Sequence, residues 1–192
     1  MGRVRKEQRV QRELVVRAQA GDVDAFTVLA RETMNRLHGV AFRILRDSDG
    51  ADDATQRALI AAWDHLGDLR DPERFEAWTY RLVVHEAYHE ARKERSQHSA
   101  VRFTRASDSG DPDASGKIAD RDELDRAFRG LSADQRAVLV LHYYADLPLS
   151  EMADILGVPV GTVGSRLHHA ARRLRAVLEA DGEVVLARGH VA

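Results

Sequence analysis

Two short stretches of this chain carry residue types whose spacing suits chemistry. His85-Glu-Ala-Tyr-His89 has the H-E-x-x-H pattern, in which two imidazoles one helical turn apart bind zinc and the glutamate activates water. Gly164 to Arg175 holds four arginines, two histidines and no acid, a density of donors suited to phosphates and guanine edges. The zinc reading has little support beyond its three fixed letters, which arise readily by chance in a chain with nine histidines. Arg92 and Arg95 occupy the Gly and His positions of the extended motif, no third ligand is evident, and cations beside the pair disfavour a dication. A zinc metallopeptidase is kept as the more distant alternative; no catalytic residue, cofactor or metal is expected.

Both stretches must be positioned by helices. The chain has 192 residues, 31% charged and 44% hydrophobic, the composition of a soluble globular protein of one large or two small domains. Its net charge of -2 conceals a separation: Asp47, Asp49, Asp52 and Asp53 cluster early, while the stretch Gly164 to Arg175 is basic and free of acids. No apolar run is long enough to span a bilayer and no leader is evident, so direct membrane insertion is not expected and the cytoplasm is the expected location. With no cysteine there is neither a disulfide framework nor a thiolate metal site.

Apolar residues Phe26, Leu29, Leu37, Val40, Ala41, Ile44 and Leu45 recur at helical steps and predict a helix from Asp22 to about Arg46. Ala54, Leu59, Ile60, Trp63 and Leu66 predict a second, its start marked by acids that the helix dipole favours. Asp71-Pro72 opens a third, running through Phe75, Trp78, Leu82 and Val83 to about Arg95. Ser96 to Asp120 is rich in Ser, Asp and Gly without sustained period, and predicts a flexible linker. Ser132-Ala-Asp-Gln135 is a capping box ahead of a fresh helix. No strand-like alternation occurs. The expected fold is all-α: two small helical domains, at 1–95 and 122–179, a linker at 96–121, and a short frayed tail at 180–192.

A helix-turn-helix is the firmest local feature. Ser150 is expected to cap a helix carrying Met152, Ala153, Ile155 and Leu156; Gly157-Val-Pro159 turns the chain; a second helix starts near Gly161. Ala153 is small where the helices approach, Gly157 suits a left-handed turn, and Val158, Val163 and Leu167 supply a buried stripe. The opposite face presents Thr162, Ser165, Arg166, His169, Arg172 and Arg173, the expected contacts to double-stranded DNA.

Leu149-Ser-Glu-Met-Ala-Asp-Ile-Leu-Gly-Val-Pro-Val-Gly-Thr-Val-Gly-Ser-Arg-Leu-His168 closely resembles the promoter minus-thirty-five reader, domain four, of bacterial extracytoplasmic-function (ECF) sigma factors. Phe26 to Arg95 is similar to sigma domain two: Ala51-Asp-Asp-Ala-Thr-Gln56 through Ala62-Trp63 resembles its polymerase-clamp helix, and Phe75-Glu-Ala-Trp78 its minus-ten helix. The resemblance implies a non-enzymatic factor that binds core RNA polymerase at its β′ clamp and β flap, directs it to promoter DNA and helps open the duplex, with an anti-sigma factor as a further partner. It implies polymerase contacts at Asp49, Asp52, Asp53 and Gln56, with Trp63 packed inside, and a linker whose Asp108, Asp111 and Asp113 thread toward the polymerase active centre. Arg74, Arg81, His85, His89, Arg92, Lys93 and Arg95 are the expected contacts to the minus-ten strand, where unpaired bases are captured by pockets, stacking groups and positive charge. The sequence departs from the family at His85, usually Asn, at His89, usually Asp, and at Gly164 and His169, usually basic. A helix-turn-helix regulator that needs no polymerase is the nearer alternative, since it would share the same C-terminal half.

Overall fold

A computed structural model describes the backbone of residues 2–102 and 127–188, and the side chains of 9–94 and 127–179. Every regular element among these residues is helical: α1 Gly2–Gln19, α2 Val23–Leu45, α3 Ser48–Asp64, α4 Phe75–Arg102, α5 Ala133–Leu139, α6 Leu149–Leu156 and α7 Val160–Arg188. Short 3-10 turns at Leu66–Asp68 and Pro72–Arg74 join α3 to α4, and a π turn, Val140–Tyr144, extends α5. Residues 127–129 are helical as well.

Side-chain caps set the starts of α2, α3 and α5. The Asp22 carboxylate accepts from the Ala25 amide and that of Asp47 from the Gly50 amide, each satisfying an orphan donor of the first turn. Ser132 and Gln135 form both halves of the expected capping box. Helix α6 differs from expectation. Pro148, extended at φ -68°, precedes it without a side-chain cap bond, and Ser150 lies inside its first turn, exposed. Gly157 ends α6 at φ 65°, the left-handed conformation its position called for.

Helix α1 is absent from the sequence expectation. Among its described side chains, the apolar Leu14, Val15 and Ala18 turn inward, onto Ala25, Leu29, Leu66, Leu69 and Phe75. Gln19 then fixes the 3-10 turn by donating to the carbonyls of Leu66 at 3.0 Å and Leu69 at 2.8 Å. Helices α4 and α7 also outrun their expected ends at Arg95 and Ala180, reaching Arg102 and Arg188. The added turns, Ser96 to Arg102 and Ala180 to Arg188, contain no proline and only Gly182 as a weak helix former, so backbone bonding carries through them. The rest of the linker, with Asp108, Asp111 and Asp113, lies outside the described residues, as do the side chains of Arg95 and of the tail.

Two separate cores are what the sequence suggests; the observed division is different. A smaller cluster binds α1 to the N-terminal halves of α2 and α4. The larger runs from Leu37, Ile44, Ala54, Val83 and Ala87 of the first domain into Val138, Leu141, Met152, Ile155 and Val163 of the second. The second domain is seated on α2 and α4, and its apolar side chains and theirs are removed from water together. Burial of each valine, leucine, isoleucine or methionine among them stabilises by about 1.5–3 kcal/mol.

Candidate functional site

Helix α3 carries the acidic residues assigned to the clamp-facing edge. Asp49, Asp52, Asp53 and Gln56 are all exposed along it. Two of the carboxylates have partners within the chain: His38 Nε2 of α2 lies 3.2 Å from Asp52, and Arg57 lies 3.7 Å from Asp53. Beside them opens an apolar groove of about 420 Å³, lined by Phe26, Met34, Leu59, Ile60 and Trp63 and rimmed by Asp52 and Gln56. Trp63 was expected inside. It is instead 39% exposed, stacked obliquely on Phe26 at 4.9 Å between ring centroids, because α1 covers the other side of Phe26's neighbourhood and leaves this wall of α2 and α3 open. Ile60, 53% exposed, continues the same surface. The groove was not foreseen as a feature, although Phe26, Ile60 and Trp63 all belong to the helical pattern that predicted α2 and α3.

Helix α4 presents the residues assigned to strand capture. Arg74, Arg81, His85, His89, Arg92 and Lys93 are exposed. Lys93 is held 3.0 Å from Glu90, and Arg74 3.1 Å from Asp154 of α6. The H-E-x-x-H glutamate has another occupation: Glu86, largely covered, lies 3.3 Å from Arg57 Nε and 3.2 Å from His85 Nδ1. That glutamate is thus engaged by two neighbours of its own chain. Arg57 also binds Glu90 at 2.5 Å and so ties α3 to α4 beneath the basic face. Burial pushes the Glu90 carboxyl up, but Lys93 and Arg57, by hydrogen bond and by charge, outweigh it and hold the group below the usual glutamate range.

In the second domain Val163 and Ala170 are buried and Leu167 partly so, which turns Ser165, His169, Arg172 and Arg173 outward on α7. Thr162 and Arg166 are half-buried. Arg166 faces the first domain closely enough for its charge, with that of Asp134, to act on Tyr88 of α4, whose phenol burial pushes well above its usual range. Gly164 has open space where a side chain would stand. The structure therefore gathers Ser165, His169, Arg172 and Arg173 on one free face and sets Arg166 apart, toward α4.

The chain matches the family model for sigma-70 region 2 over residues 29–97 and that for sigma-70 region 4 over residues 121–174. It is 34% identical to the ECF RNA polymerase sigma factor SigL of Mycobacterium tuberculosis over 148 residues, 74% of this chain and 82% of that one. It is 29% identical to the RNA polymerase sigma-H factor of Pseudomonas aeruginosa over 187 residues, covering 87% and 93%. Among solved structures it is similar to the sigma factor RpoE of Bartonella quintana, crystallised with the anti-sigma factor NepR, at a TM-score of 0.67 and 26% identity over 83% of this chain and 99% of that one. It is likewise similar to CnrH, solved with the cytosolic domain of CnrY, at a TM-score of 0.65 and 26% identity over 90% and 99%. The chain belongs to the extracytoplasmic-function RNA polymerase sigma factors. Its function is that of a sigma factor, directing RNA polymerase to promoters for transcription initiation. No helix among the described residues is long and apolar enough to cross a membrane.

Proposed function

We propose that this sigma factor acts through two surfaces that its fold keeps apart. The acid-rimmed groove on α2 and α3 seats on the core polymerase clamp, with Ile60 and Trp63 burying apolar area and Asp49, Asp52, Asp53 and Gln56 meeting cationic donors at the rim. On the other side, α4 takes the separated minus-ten strand, with Arg81, Arg92, Lys93 and Arg95 following phosphates and His85 and His89 beside the displaced base. Helix α7 reads the minus-thirty-five duplex through Ser165, Arg166, His169, Arg172 and Arg173, with Thr162 at its start. The second domain also meets the β flap, and 96–121 joins the two halves of the grip. None of this calls for a catalytic residue, metal or cofactor.

One observation carries the assignment of sides: an exposed apolar groove with acids at its rim lies on the same domain as a helix whose exposed face is basic. An anti-sigma factor is the further partner, since the similar RpoE of Bartonella quintana is held by one. Mixing the chain with core polymerase of its host, and assaying run-off transcripts from a library of host genomic fragments, tests the whole reading. Discrete transcripts that require the chain support it; failure to bind core overturns it. A helix-turn-helix regulator would bind specific duplexes tightly without polymerase and give no such transcripts.

A further inference from the structure

Of the acids on α3, Asp52 is the one that lines the apolar groove. Asp53, the next residue, is turned toward Arg57, whose guanidinium already serves Glu86 and Glu90. Asp52 meets a different kind of partner. His38 of α2 brings Nε2 to 3.2 Å from its Oδ1, across the seam between the two helices. The imidazole is itself braced. It lies nearly parallel to the Phe42 ring one turn further along α2, with 14° between the planes and 6.3 Å between centroids. Phe42 packs in turn against the larger core, with the Arg46 guanidinium 5.5 Å from its ring centroid. The other residues one turn away on α2, Met34, Asn35 and Ala41, are uncharged, and Arg43 is turned to Tyr144. Asp52, flanked on α3 by Asp49 and Asp53, is therefore the charge that His38 meets, with Arg46 beyond Phe42.

A carboxylate on an open surface turns among several rotamers, and a partner that needs it in one of them must first order it. Here a donor on the neighbouring helix, backed by an aromatic ring, has ordered it in advance, while 71% of the Asp52 side chain stays open to solvent. We infer that His38 is a positioning residue of the polymerase seat. It fixes the Asp52 carboxylate at the rim of the groove and leaves the other oxygen for a cationic side chain of the clamp. The inference rests on the reading of this groove as that seat. The contact also has a sign. A neutral imidazole donates through Nε2 and leaves the carboxylate's charge for the partner, whereas an imidazolium, formed as pH falls through the histidine range, offsets that charge. Seating should therefore weaken in acid.

The labelled full chain is titrated with core polymerase of its host between about pH 7.5 and about pH 5.5, read by fluorescence anisotropy, with a melting curve for each variant. His38→Gln keeps an N–H donor near the place of Nε2 and cannot titrate, so at the upper pH it should bind within about twofold of the parent. His38→Phe keeps a ring against Phe42 but loses the donor, and should bind about threefold more weakly, the scale of an exposed ion pair. Toward the lower pH the parent should lose about threefold relative to His38→Gln, a ratio in which the titrations of the other histidines and of the polymerase cancel. In an Asp52→Asn background His38→Phe should cost nothing further. Equal binding by His38→Phe and the parent, a ratio of parent to His38→Gln that does not move with pH, or an undiminished His38→Phe loss beside Asp52→Asn would each overturn the inference alone. A parent chain that binds no core would overturn the seat reading and the inference together.

Discussion

Arg57 of α3 holds Glu90 of α4 at 2.5 Å, and the pair is shielded from solvent on the Glu90 side. It is the electrostatic joint between the helix offered to polymerase and the helix offered to DNA. Lys93 and Glu86 complete the cluster, so that one guanidinium, one ammonium and two carboxylates are ion-paired at the back of the basic face.

Replacing Arg57 by Gln should cost about 1–3 kcal/mol, since two largely covered carboxylates lose their shared donor. The pH dependence has a defined sign. Glu90 titrates below its ordinary range in the folded chain, so its contribution is complete above the unfolded glutamate pKa and is lost as pH falls through the lower folded value. Urea midpoints measured between about pH 6 and pH 3 should therefore fall less steeply with acid in Arg57→Gln than in the parent chain. Equal slopes would remove Arg57 from the account.

Ile60→Asp places a charge in the apolar groove at a position more than half exposed. Stability should change by no more than about 0.5 kcal/mol, as is usual for surface sites. Affinity for core polymerase should fall about tenfold or more, and Trp63→Ala should behave similarly, because aromatic anchors dominate such contacts. Fluorescence anisotropy of labelled chain against core polymerase, paired with a melting curve, separates binding from folding.

Gly164 is open on α7, and Gly164→Arg should fit without displacing anything. Helix propensity improves by about 0.8–1 kcal/mol on losing the glycine. One more phosphate contact should raise duplex affinity and steepen the slope of log K against log salt by about one. Titrations of the core-bound factor at several salt concentrations check this; an unchanged slope means the residue does not meet the backbone.

Gly157→Ala should destabilise by about 1–2 kcal/mol, because a Cβ at φ 65° is strained even with space around it. A thermal melt reads the loss. No effect would mean that the turn between α6 and α7 relaxes freely.

Features set within a few residues were legible from the sequence. Asp22 starts a helix, Ser132 and Gln135 cap one another, and Gly157 turns left-handed, all because a backbone donor or a φ value is satisfied by a neighbour in the chain, whereas Asp47 to Gly50, which reads as a break, already begins α3 with Asp47 as its cap. The all-α fold followed from periodicity. What escaped depended on distant partners. Helix α1 has too few apolar residues to announce itself and is stabilised by Phe75 and Leu29. Trp63 has the same helical spacing as buried residues, yet among the described residues no helix covers the groove it lines. Ser150 looked like a cap, but the extended Pro148 starts the helix two residues earlier. Arg166 shares a helix face with DNA-directed residues, and nothing local reveals that α4 lies opposite it.

The core that passes unbroken from Ile44 to Leu141 has a consequence for how the chain comes apart. Covalent continuity through 103–126 is not what keeps the halves together: the seam is apolar, and Arg136 stitches it to the end of α2. A protease cut in that interval should leave two fragments that co-elute as one particle and separate only when denatured or when a competitor peels one from the other. Each half thus keeps apolar surface of the other out of water.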